Sequence, residues 1–187
     1  VLAATDRIVL QAVDMQFSHS TLTTAAGKAL VPKSVEIDAA SQTAATVARI
    51  LVNDMPEVHL LHKPFDAAMS AVAWTNYLNS LDYERMFFLQ DDIAEFERTK
   101  TILPQLMRAG DVSFAQEVFE RFRERVRDRV AFVKANVTNA FDTATGGSYA
   151  LNRKDQPWPA NVEAMDALWR DRILNSLIVY RVSTRIA

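Results

Sequence analysis

Between Phe114 and Val137 apolar side chains return every three or four residues, at Phe114, Val118, Phe122, Val126, Val130, Val133 and Val137. Only a helix of 3.6 residues per turn puts such a series on one side. The intervening positions carry Arg121, Arg123, Arg125, Arg127 and Arg129 among Glu117, Glu120, Glu124 and Asp128. Opposite charges at this spacing pair along an exposed face. The segment therefore reads as a helix over about 112–137, greasy on one side and charged on the other. A rod of that length needs other helices or a sheet to cover its apolar row.

The rest of the chain favours helices as that cover. With 4 Gly and 6 Pro in 187 residues, there are too few turn formers for a β-sandwich. A chain of this size buries roughly 70% of its unfolded surface and supports its own core. The expected class is all-α: an irregular multi-helix bundle with one long charged helix.

Local signals place the other helices. One spans about 39–53, with Ala44, Val47, Ala48, Leu51 and Val52 inward, and stops at 54–56. A second runs over about 65–81, with Phe65, Met69, Val72, Ala73, Tyr77 and Leu81 as its inner stripe. Asp91 or Asp92 caps a third, with Ile93, Phe96, Ile102 and Leu106 inward. Pro104 bends or interrupts it, and Gly110 ends it. After a loop over 142–155 and the stiff turn Pro157-Trp158-Pro159, Asn161 caps a last helix carrying Met165, Leu168, Trp169 and Ile173. Beyond Leu174 the apolar, β-branched run Leu177, Ile178, Val179, Tyr180, Val182 reads as either helix or strand. Near the start, residues 5–17 offer one short amphipathic helix in an arm.

Composition excludes several functions. A net charge of −2 gives no general grip on nucleic acid. No apolar run is long enough to span a bilayer. The absence of cysteine removes disulfides, thiolate metal sites and a cysteine nucleophile. The chain begins at Val1, and Val1-Leu2-Ala3-Ala4 has the character of the end of a cleaved signal peptide.

Few residues invite a chemical role. His59 and His62 are spaced for a shared metal, but Pro56 and Pro64 bracket them and no Glu lies between as in a zinc-protease box. They read as loop residues making hydrogen bonds. Asp91, Asp92 and Glu95 have the composition of a cation cluster, yet capping explains them without a ligand. Trp158 reads as a bolt packed over helices, with display to a partner as the alternative. Ser113 and Ser148 are visible as nucleophiles for a Ser–Lys pair, with nothing beyond residue type to recommend them. No catalytic, cofactor-binding or metal-binding residue is assigned.

The order of these pieces resembles a known family. From Thr43 to Trp169 the chain is similar to the N-terminal helical domain of tail-specific proteases, also called carboxy-terminal processing proteases. The matching segments are Leu78-Asn79-Ser80-Leu81-Asp82, Phe88-Leu89-Gln90-Asp91-Asp92, Glu95-Phe96 and Ala109-Gly110-Asp111. Arg125 to Phe132, Leu151-Asn152-Arg153, Pro157-Trp158-Pro159 and Ala167-Leu168-Trp169 follow. Up to Ile37 nothing matches, and from Leu174 the sequence drifts from a charged linker into apolar residues.

The resemblance implies a periplasmic serine endopeptidase that acts on the C-terminal ends of its substrates. It places a PDZ domain and a Ser–Lys catalytic core downstream of these residues, so no catalytic residue maps here. Residues 38–173 are then the helical domain, 1–37 an arm, and 174–187 the junction toward the protease. Its implied role is scaffold: helping to enclose the proteolytic chamber and offering a surface to an adaptor or partner subunits. Separately, the apolar tail Leu177, Ile178, Val179, Tyr180 reads as a surface covered by the remainder of the protease or, through self-association, by another copy. A stand-alone helical adaptor is the alternative, and a metal-dependent hydrolase using His59 and His62 a third.

Overall fold

A computed structural model of the chain describes residues 33–137 and 149–186; the arm helix expected over 5–17, the loop glycines and Ser148 lie outside them. The protein is all-α, with no strand among the described residues. Helix α1 runs Lys33–Asn53, α2 Met55–Val58, α3 Ala67–Leu81, α4 Gln90–Phe96, α5 Leu103–Ala109, α6 Ser113–Asn136 and α7 Val162–Ile186. The chain forms two compact units. Among the described residues, the first holds 33–83 and 90–122, and the second 84–89, 123–137 and 149–186.

Helix ends follow from short-range chemistry. Asp66 accepts a 2.9 Å hydrogen bond from the Met69 backbone and caps α3, and Asn161 accepts one from Ala164 and caps α7. Ahead of α6, Asp111 accepts from the Ser113 N–H at 2.9 Å, and this bond holds its carboxyl below the ordinary carboxylate range. At the end of α5, Gly110 has φ +77° and donates to the Met107 carbonyl, while Asp111 N–H reaches Leu106. That is the paired closure of a Schellman motif, which needs a left-handed residue. Arg49 from α1 lies against the same turn, donating to the Ala109 carbonyl at 2.9 Å, and its guanidinium occupies the place a Cβ on Gly110 would take. Gly110→Ala should therefore cost about 1–2 kcal/mol from the left-handed backbone alone. An unchanged urea midpoint would show that the turn is less constrained than this geometry requires.

In the first unit α3 buries Ser70, Trp74 and Leu78, spaced four apart, and α6 buries Phe114, Val118 and Phe122. Tyr77 bridges α3 and α6: its ring is 6.1 Å from that of Phe114, and its hydroxyl donates to the Ala115 carbonyl at 2.7 Å. Partial burial of the hydroxyl pushes its pKa up, since the phenolate loses solvation. Ala48 and Val52 of α1 complete this core.

Members of three expected inner stripes are displaced. Met69 and Val72 are exposed, and Ser70 takes the inward place instead. The reason lies thirty residues away. Between Phe96 and Leu103 the chain leaves the α-helix for a 3₁₀ turn over Glu97–Thr99, and Pro104 has no N–H to give the Lys100 carbonyl its helical partner. Ser70 donates to the Lys100 carbonyl at 2.5 Å and Trp74 Nε1 to the Phe96 carbonyl at 3.1 Å, so α3 must present that face. Pro104 sits in the first turn of α5, where its missing N–H is harmless, so it opens a new helix rather than bending an old one. Ile102, expected inward, is exposed in this linker, and on α1 Val47 and Leu51 are also exposed.

In the second unit α7 buries Met165, Trp169 and Ile173, and α6 buries Val133. The tail left open between helix and strand is helical: α7 continues without a break from Val162 to Ile186, across Ile173 and Leu174. No helix among the described residues is long and apolar enough to cross a membrane.

Candidate functional site

Asp92 and Glu95, two of the charged residues that suggested chemistry, are held in structural contacts. Asp92 is not a cap. It lies inside α4, with a side chain only 1% exposed, and Arg121 Nη1 reaches its Oδ1 at 2.5 Å. Arg121 Nη2 reaches Glu95 Oε2 at 3.1 Å. The hydrogen bond to Asp92, reinforced by both carboxylates, raises the Arg121 pKa further and keeps the guanidinium cationic. One arginine from α6 thus ties down two of the three acids that composition offered as a cation cluster, while Asp91 lies exposed in the first turn of α4.

A similar tie appears in the second unit. Arg129, expected on the solvated face of α6, is buried, and its Nη1 meets Asp166 Oδ1 of α7 at 2.5 Å. Its guanidinium lies 5.1 Å from the Phe132 ring, and Arg170 approaches the same ring at 5.5 Å. Arginine serves here because its planar group stacks on an aromatic face while its edge binds a carboxylate.

The segment over residues 84–89 is fixed in that unit by contacts with residues far along the chain. Trp169 Nε1 donates to the Met86 carbonyl at 2.8 Å, and the Trp169 and Phe87 rings meet edge to face at 5.6 Å. Arg172 places Nη1 2.9 Å from the Met86 sulfur and its guanidinium 5.6 Å from the Trp169 ring. Glu84 Oε2 accepts from the Arg153 N–H at 2.9 Å. Arg85, with φ +53°, donates to the Gln156 carbonyl and stacks 4.5 Å from the Trp158 ring. Trp158 is half-buried under that guanidinium. Glu84, Arg85 and Met86 carry no motif; a positively charged residue four places after Leu81 gives no hint of a partner seventy residues on.

His59 and His62 stay on the loop after α2. Leu61 N–H donates to His59 Nδ1 at 3.3 Å, and His62 Nδ1 lies 3.2 Å from the Pro56 carbonyl. Among the described residues no group of three or more His, Asp and Glu side chains is placed to hold a metal. Around them Val58, Leu60 and Leu61 are open to solvent, Leu60 at 90% exposure. Ser113 starts α6, its N–H bound to Asp111.

The ion pairs of Arg121 and Arg129 join one helix to another, and the contacts of Glu84, Arg85 and Met86 fix an irregular segment. A family model for the tail-specific protease N-terminal domain matches residues 51–185.

The chain belongs to that family. Over 150 residues, 80% of this chain, it is 22% identical to a tail-specific protease of Haemophilus influenzae, and it spans 22% of that relative's length. The family match includes the interrupted stretch from α4 to α5, the Schellman turn at Gly110, all of α6, and α7 through residue 185. In this tail-specific protease domain the segments Phe88-Leu89 and Ala167-Leu168-Trp169, far apart in sequence, both belong to the second unit, where Phe88 and Trp169 are buried.

Proposed function

We propose that this domain is a non-catalytic scaffold of a periplasmic tail-specific serine endopeptidase, with residues 38–173 as the helical body and 174–187 leading toward the protease. It shapes the approach of substrate C-terminal ends to a catalytic core elsewhere in the longer protein and docks partner chains. The observation that carries this reading is the match to the family's N-terminal domain over 51–185. Its polar side chains support it: Asp92, Glu95, Arg121, Arg129 and Asp166 are spent on helix-to-helix ion pairs. A hydrolytic site needs a nucleophile and base held within hydrogen-bond reach of each other.

Incubating the 187-residue chain with an unstructured polypeptide ending in apolar residues tests the reading. No cleavage above the buffer rate is expected. Robust cleavage that a serine-directed inhibitor abolishes would overturn it.

A further inference from the structure

Helix α7 carries two apolar stripes on opposite sides. Met165, Trp169 and Ile173 form the buried one. At 3.6 residues per turn, Asp171, Leu174, Ile178, Arg181 and Val182 fall within an arc of about 100° centred on the other side. Leu174 is half-buried, and every side chain from Ile178 to Thr184 is exposed, among them Val179 at 59% and Val182 at 51%. Four of those seven residues are large and apolar, a grouping that marks a surface made for contact.

The charges on this face say what covers it. Asp171 lies three residues before Leu174, and Arg181 three residues after Ile178. Neither side chain makes a hydrogen bond or ion pair among the described residues. We propose that the face is covered by the same face of a second copy of this chain, the two α7 helices running antiparallel. With the two-fold axis level with Ser176, Leu174 meets Ile178 of the partner subunit. Asp171 then meets the partner's Arg181, and both pairs occur twice by symmetry, as in any isologous contact. Acid and base stand about 15 Å apart along the helix, at opposite ends of the apolar row, so a parallel pairing would place like charges together.

Sedimentation of the 187-residue chain from micromolar to millimolar concentration tests this, with far-UV circular dichroism to confirm the fold of each variant. A monomer–dimer equilibrium is expected. Ile178→Asp should abolish it. Arg181→Asp and Asp171→Arg should each raise the dissociation constant about tenfold, since each turns two weak attractions into repulsions. The double exchange should restore the dimer. A monomer at every concentration overturns the proposal and leaves the face to another chain. A dimer indifferent to these changes, or one the double exchange does not rescue, overturns the register. Neither result bears on whether the domain cleaves peptides, which the cleavage assay decides separately.

Discussion

Trp169→Ala should destabilise the domain by about 3–5 kcal/mol, the cost of emptying a large aromatic site in a packed core. Three contacts go at once. The Met86 carbonyl loses the indole N–H at 2.8 Å, Phe87 loses the ring it meets at 5.6 Å, and Arg172 loses the face under its guanidinium. All three partners hold the irregular segment over residues 84–89 against α7, where hydrogen bonds within a regular element are not available to do so. Trp169→Phe separates the contributions. It keeps most of the volume and leaves the carbonyl unpaired, so about 1–2 kcal/mol of loss is expected. Chemical denaturation of the three proteins reads both numbers. A change below 1 kcal/mol for the alanine variant would mean that the segment is held by something other than this ring.

Arg121→Ala should cost about 3 kcal/mol, because it leaves the Asp92 carboxylate inside the protein without the guanidinium that meets it at 2.5 Å. The half-exposed Glu95 at 3.1 Å adds little, since water replaces its partner readily. The asymmetry gives a sharp comparison. Glu95→Gln should be nearly silent, while Arg121→Ala is severe, although both break the same three-residue cluster. Arg121→Lys should fall between, because one ammonium cannot bridge both acids in the geometry of the planar fork. Equal and small losses for the Arg121 and Glu95 variants would show that Asp92 does not depend on this pair.

These two sites also mark where reading the sequence succeeds and fails. Residues with local partners were legible. Asn161, Pro104 and Gly110 act through bonds that span at most a few residues, so the pattern around them suffices. The row Phe114, Val118, Phe122 and Val133 was legible because periodicity alone assigns a face to a long helix. Misreadings arose where a distant group decided. Ser70 displaced Met69 and Val72 from the core because a carbonyl at Lys100 needed a donor. Asp92 left its expected capping role because an arginine twenty-nine residues later reached it.

Composition and spacing were enough to determine that this protein is built of helices and where most of them start and stop. Each of those properties is written in residues close enough to act on one another along a single chain. Tertiary structure alone decided which polar side chains turn inward, that Arg129 pairs with Asp166 in the interior, and that the apolar tail prolongs α7 with its own exposed stripe. A buried polar group is tolerable only beside a partner, and which partner lies beside it is known only once the helices have packed.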